Sequence, residues 1–377
     1  MKPLVVLNLV GDPYSRGRQF GSSRATHIRL FLRDWLQWLG RLGVRGPQGY
    51  VLGMLQATRF RQCILEHASE LLEEVNGIAD GADVSPDLLL VAQLMDEEWA
   101  YRPEGLRDVE GMQKCSSIAL RARGGRTWIG QNMDLGGYTD GHQLALRISS
   151  SASEREMLIF TVGGMIALMG VNGKGIGVCV NSLPQLPSGR DGLPVAFVIR
   201  KLLQEDTVAT AARLLATLPH STGQHYLLAD SAELRSFEVS SASVTEYSPA
   251  DPTCILHTNH PLVGATVNTV PARYQANTLA RLRSLQTRLT AVDPTLGKIK
   301  AALSSHDDVE FPICRPSPAD HPPESPSAMF TTGSMISELG NGKALESWMS
   351  AGPPCSRGYT RIVTEHLRIG RNRRASG

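Results

Sequence analysis

A chain of 377 residues carrying 38 lysines and arginines against 36 aspartates and glutamates is long enough for a large core, and its formal net charge of +2 offers no global field for nucleic acid or anionic lipid. Six cysteines lie far apart, without CxxC pairing and without a secretory signal ahead of them, which points to reduced thiols and a cytoplasmic location. The longest uncharged run, residues 157–171, is too short for a membrane helix and is interrupted by Gly163 and Gly164. The opening "MKPLVVLNLVGDP" reads as a strand entering a turn. From Tyr14 to about Leu106 the texture is helical, with apolar residues three and four apart in "RATHIRLFLRDWLQWLGRLG" and "FRQCILEHASELLEEVNGIADGA".

At Cys115 the pattern changes to short β-rich runs punctuated by turn residues, "SSIALRA", "RTWIGQN", "HQLALRIS", "EMLIFTV", "MIALMGV" and "IGVCVNSL". Gly124-Gly125, Gly163-Gly164 and Asn172-Gly173 suit tight hairpins. Helices are expected at "PVAFVIRKLLQ" and "TVATAARLLATL", then strands at "HYLLADS", "RSFEVSS" and "TCILHTN", then helices at "ARYQANTLARLRSLQ" and "TLGKIKAALSSH". Residues 312–326 hold six prolines and read as an irregular loop, before strands in "AMFTTGSMISEL" and "ALESWMSAG". The order predicts an α+β fold with antiparallel sheets layered against helices. The basic end "RIGRNRRASG" reads as a solvated tail, and no phosphate-binding glycine loop is present.

Taken together and in order, "GDPYSRGRQFG", "GIADGADVSPDLLL", "CSSIAL" with "GQNMDL", "GVNGKGIGVCVNSLP", "HTNHPL" and "GPPCSRGYTRI" resemble the isopenicillin N acyltransferase family of cysteine N-terminal-nucleophile hydrolases. The Asn-Met-Asp run is also similar to bile salt hydrolases and penicillin V acylases. The resemblance implies an αββα four-layer sandwich, with residues 1–114 as a mainly helical pro-segment and 115–377 as the catalytic region. It implies a precursor that cuts itself between Lys114 and Cys115, leaving two fragments associated. The physical gain is the freed Cys115 α-amine, whose ordinary pKa of about 7.7 to 8.0 makes it a usable base at neutral pH.

By the same resemblance Cys115 is the nucleophile, Asp134 orients its amine, Asn259 donates to the oxyanion, and Arg273 is the arginine near the thiol. Asn181 and Gln131 are the implied substrate contacts. The expected substrate is a small-molecule amide or an acyl thioester, with coenzyme A thioesters as donors by resemblance alone, and no metal, other cofactor, nucleic acid or membrane is expected to take part. Two positions depart from the pattern. Lys114 stands where glycine is usual before the nucleophile, and Gln131 stands where bile salt hydrolases carry arginine, which points toward the acyltransferase branch.

Two other readings stay open at this point. Cys254, His257 and His260 recur every three residues, a spacing that would gather metal ligands on a helix, although the flanking pattern reads as a strand. Lys114 also permits an uncut, non-catalytic binding protein of the same fold.

Overall fold

The computed structural model describes residues 4–103, 106, 114–150, 153–317, 329–340 and 345–364. The chain opens with strand β1 (Val5–Val10) and passes into helix α1 (Pro13–Arg41), where Asp12 caps the helix by accepting the Ser15 N–H. Helices α2 (Pro47–Ala57), α3 (Phe60–His67), α4 (Ser69–Ala82), α5 (Pro86–Ala92) and α6 (Met95–Tyr101) follow. The single helical run expected from Phe60 to Ala82 is broken at Ala68, whose φ of −154° leaves the helical region.

α1 and α4 touch backbone to backbone. Gly17 and Gly21 of α1 face Gly77 and Gly81 of α4, and a Cβ on Gly77 would sit 2.2 Å from the Tyr14 carbonyl oxygen. Below that contact Glu74 receives Arg16 Nε at 2.6 Å and both Arg200 Nη atoms at 2.6 and 2.8 Å. Burial alone would raise the Glu74 carboxyl, but Arg200 and Arg16 outweigh it and hold it below the usual carboxylate range.

Strands β2 (Lys114–Arg121) and β3 (Thr127–Gly136) form the hairpin expected at Gly124-Gly125. They are followed by β4 (Gln143–Ser150), β5 (Ser153–Val162), β6 (Met169–Asn172) and β7 (Gly177–Ser182), then α7 (Val195–Leu202) and α8 (Val208–Thr217). β8 (Gln224–Ala229), β9 (Leu234–Val239), β10 (Val244–Tyr247) and β11 (Cys254–His257) precede α9 (Ala272–Leu289) and α10 (Leu296–Leu303). The chain ends in β12 (Met329–Leu339), β13 (Leu345–Ser350), the short α11 (Pro354–Arg357) and β14 (Thr360–Thr364).

Among the described residues these strands make two sheets, one ordered β1-β4-β5-β6-β7-β8-β9-β10 and the other β11-β2-β3-β12-β13-β14. β1 pairs with β4 in parallel, so the segment before Cys115 joins the first sheet directly. The sheets pack face to face. At Gly333 on β12 a Cβ would lie 1.9 Å from the Phe160 ring of β5, so only glycine lets the two sheets close there. α9 and α10 cover the second sheet, burying Leu282, Leu285 and Ile299 against Ile118, Trp128 and Trp348. The helices on the other side close the first sheet, completing the αββα layering that the resemblance implied.

Three details differ from the sequence reading. The hairpin expected at Gly163-Gly164 is a longer connection, residues 163–168, before Met169 pairs with Phe160. Strands β10 and β14 were not anticipated. Of the proline-rich stretch 312–326, residues 312–317 are irregular and 318–326 lie outside the described residues, as does the basic end.

Candidate functional site

Register builds the site. Because β2 and β3 are joined by a short turn, Cys115 faces Met133 and Lys114 faces Asp134 across the ladder. β11 pairs with β2 so that His257 lies opposite Ser117. Continuing two residues along that line brings Asn259 beside Cys115, and the Cys115 N–H donates to Asn259 Oδ1 at 2.7 Å.

Asn259 is held firmly. Its backbone N–H donates to Thr278 Oγ1 at 2.7 Å, and its Nδ2 donates one proton to the Ser182 carbonyl at 3.0 Å. Cys115 is 1% exposed. Burial first, then the charge of Asp134, push its thiol up to about 12, so in the intact chain it is a protonated thiol at neutral pH. Asp134, on the opposite face of β3, accepts the Thr331 hydroxyl at 2.8 Å, and Arg315 Nε lies 3.7 Å from its second oxygen.

The arginine beside Cys115 is Arg281, not Arg273. Arg281 is fully buried; its Nη1 donates to the Cys115 carbonyl at 2.6 Å and to Ser116 Oγ at 3.0 Å, its Nη2 to Asn259 Oδ1 at 2.8 Å, and its Nε to Asn277 Oδ1 at 2.9 Å. Arg273 sits two turns earlier on the same helix, is exposed, and pairs with Glu310 at 3.3 Å. Eight residues place it about 80° around the helix from Arg281, which turns it to solvent.

Gln131 and Asn181 are also placed differently from the expected substrate contacts. Gln131 bonds both the N–H and the carbonyl of Val180, bridging the two sheets. Asn181 Oδ1 accepts from Ser117 Oγ at 2.6 Å and His225 Nδ1 at 2.8 Å. Strand alternation explains this: Val180 and Ser182 face the cleft, and Asn181 between them faces the other sheet. His225 in turn stacks on His257 with centroids 3.6 Å apart, and His257 Nε2 meets Glu238 at 3.1 Å.

The expectation that Cys254, His257 and His260 could gather a metal fails on geometry. β11 is a strand, and among the described residues the group whose ligand atoms come together is His306, Cys314 and Cys355. Both ring nitrogens of His257 are committed to Thr258 O and Glu238.

A cleft reaches Cys115 as two adjoining chambers that share Asp96, Ser182 and Gln224. The inner one adds the apolar Met133, Met165, Leu168 and Ile199, together with Gln93 and Cys115 itself. The outer one carries Trp99 and Tyr274. Asp96 accepts Ser182 Oγ at 2.6 Å and Gln224 Nε2 at 2.9 Å. The Tyr274 hydroxyl and Gln224 Oε1 are buried with no hydrogen-bond partner among the described residues, polar groups that a bound molecule could satisfy. Gln93, Asp96 and Trp99 all precede Lys114 in the chain, so both sides of the Lys114-Cys115 bond supply walls. Arg281, Arg315, Thr331 and Asp96 were not singled out by the sequence.

A model of the family described as acyl-coenzyme A:6-aminopenicillanic acid acyl-transferase matches residues 121–321, a span that includes Asp134, Asn259 and Arg281 and begins after Cys115. Among solved structures the chain is similar to a cysteine-to-alanine mutant of conjugated bile acid hydrolase from Clostridium perfringens, at 12% identity over 66% of this chain and 92% of that one, with a TM-score of 0.40. An arginine-to-leucine variant of that hydrolase gives 13% identity, 68% and 100% coverage, and a TM-score of 0.39. Penicillin V acylase from Agrobacterium tumefaciens gives 15%, 66% and 86%, and 0.36. No curated protein matches. Among the described residues no helix is long and apolar enough to cross a membrane.

Proposed function

The chain belongs to the acyl-coenzyme A:6-aminopenicillanic acid acyltransferase family, and we propose that it is a self-cleaving amidohydrolase or acyltransferase working through a thioester on Cys115. The observation that carries this reading is the convergence of the Cys115 backbone and sulfur, Asn259 and Arg281 at the inner end of a cleft.

In the intact chain the thiol is protonated and its backbone nitrogen is an amide, so no strong base adjoins the sulfur. Attack of Sγ on the Lys114 carbonyl breaks the peptide bond and passes the amide nitrogen its proton. Water then hydrolyses the resulting thioester, leaving a carboxylate on Lys114 and a free amine on Cys115. That amine is the base the buried thiol lacks.

Arg281 and Asn259 grip the carbonyl and the N–H of Cys115, so its main chain stays fixed while the bond before it opens. In turnover the α-amine takes the thiol proton, the sulfur attacks the substrate carbonyl, and the same proton goes to the departing amine or thiol. The second Nδ2 proton of Asn259 is the oxyanion donor in this scheme, a contribution of about 3 to 4 kcal/mol in comparable sites. Water or an amine then takes the acyl group from Cys115.

The methionines, Leu168 and Ile199 of the inner chamber suit the acyl group, and Asp96 and Gln224 at the junction, with Tyr274 of the outer chamber, suit the polar leaving or accepting group. Coenzyme A thioesters are candidate donors; the scheme needs no metal or redox group.

N-terminal sequencing and intact-mass measurement test the reading. Two fragments meeting at the Lys114-Cys115 bond, with turnover of short N-acyl amides that disappears in Cys115→Ala, support it. A chain that stays whole, or activity that survives Cys115→Ala, overturns it.

A further inference from the structure

Outside the cleft, a second pair of sulfurs is in contact. Cys314 Sγ and Cys355 Sγ lie 2.9 Å apart, and a ring nitrogen of His306 lies within 4.8 Å of both. The three residues come from different places: His306 follows α10, Cys314 lies in the irregular strap 312–317, and Cys355 sits in α11 on the turn between β13 and β14.

Their surroundings are unequal in a useful way. Cys355 and His306 are exposed, whereas Cys314 is buried. Burial, with Cys355 against it, pushes the Cys314 thiol far up, so Cys314 is the poorer first nucleophile and Cys355 the accessible one.

We propose that Cys314 and Cys355 form a reversible disulfide, with exposed Cys355 as the attacking thiol, His306 as the acceptor of its proton, and Cys314 as the resolving thiol. The oxidant is a low-molecular-weight disulfide. The Cys355 thiolate attacks one of its sulfurs and releases one thiol, giving a mixed disulfide. Cys314 then displaces the second, so two protein thiols and one small disulfide become one protein disulfide and two small thiols.

A metal fits the same atoms less well. Two thiolates on one tetrahedral zinc, each about 2.3 Å from it, stand roughly 3.8 Å apart, farther than these sulfurs are. The cross-link would also have a defined mechanical effect. Cys314 is followed by Arg315, which faces Asp134, and the strap is pinned on either side by the Asn132 bond to the Ile313 carbonyl and the Arg315 N–H bond to Thr331 Oγ1. Closing the disulfide ties this strap to the surface turn of α11.

The test treats the intact protein with oxidised glutathione and maps peptides without reduction. The expected result is a Cys314–Cys355 cross-linked peptide, loss of both alkylatable thiols, reversal by dithiothreitol, and a rise in melting temperature of about 5 °C. Cys355→Ser should lose the cross-link with its reduced-state activity unchanged. Cys314→Ala, which lacks the resolving thiol, should instead accumulate glutathione on Cys355. His306→Gln should move the pH profile of the exchange rate upward.

Two free thiols after hours in excess oxidised glutathione would overturn the proposal. So would a stable glutathione adduct on Cys355 of the unaltered protein, or one equivalent of zinc that shields both thiols from alkylation. An unmoved pH profile in His306→Gln would remove the role given to that histidine.

Discussion

Where α7 packs on the N-terminal helices the buried cation Arg200 meets its opposite charge, while on α9, beside the second sheet, the equally buried Arg281 meets neutral oxygens. Arg200 shares Glu74 with Arg16, and two guanidinium groups lie on one carboxylate. The donors of Arg281 go to the Cys115 carbonyl, Ser116, Asn259 and Asn277. A charge neutralised where it stands mainly fixes geometry. One held by dipoles keeps part of its field, and here that field falls on the atoms around Cys115, the proposed nucleophile. Burial lowers the Arg281 pKa from its ordinary value, against the opposing pull of Asp134.

The largest expected effect sits at the centre of the second region. Cys115→Ala should leave a single uncut mass and reduce turnover by at least about a thousandfold, read by mass spectrometry and initial rates. Next, Arg281→Lys keeps the charge but loses the fork. Turnover should fall by roughly a hundredfold with the melting temperature little changed. Arg200→Met should do the reverse, costing about 3 kcal/mol or more in denaturant unfolding while the folded fraction keeps its kcat. If the two variants behaved alike, the distinction between a structural and a functional buried arginine would fail for this protein.

Gly77→Ala sharpens the helical side of the comparison. Its methyl would meet the Tyr14 carbonyl oxygen at 2.2 Å, so α1 and α4 must separate at a cost of about 1 to 3 kcal/mol, again with kcat preserved.

An effect that appears only as a pH slope belongs to Glu97, a buried carboxyl that accepts the Val195 N–H at 3.1 Å and Ser221 Oγ at 2.7 Å. Burial and then the charge of Asp96 push it up to about 8 from 4.5. Between those values the unfolded chain has released a proton that the folded one retains. Stability therefore falls as pH rises through the window, by up to about 1.4 kcal/mol per pH unit. Glu97→Gln should flatten that slope, as unfolding midpoints near pH 5.5 and pH 7.5, both approximate, would show.

The parts of the site that were legible in the sequence are those fixed by local register. Asp134 reaches the level of Cys115 through a hairpin whose turn residues are visible, and Asn259 arrives two residues beyond a strand that could be seen. The resemblance pointed to Arg273, which is exposed, and passed over Arg281, because an amphipathic pattern does not say which buried polar position on a helix faces the neighbouring sheet.

Gln131 and Asn181 bond between the sheets for the related reason that alternation separates two faces of a strand without telling which one borders the cleft. Asp96, Thr331 and Arg315 depend on contacts between distant segments, and no short-range spacing records those. The layering of helices on two sheets survived because alternating strands and amphipathic helices each carry their burial face in their own period.

The placement of Gln93, Asp96 and Trp99 in the cleft has a practical corollary for anyone wishing to alter what the protein accepts. These side chains are encoded upstream of the proposed scission point, whereas the sulfur is encoded downstream. Substitutions at these three positions, made in the whole chain, would reshape what the cleft admits while Cys115, Asn259 and Arg281 stay as they are.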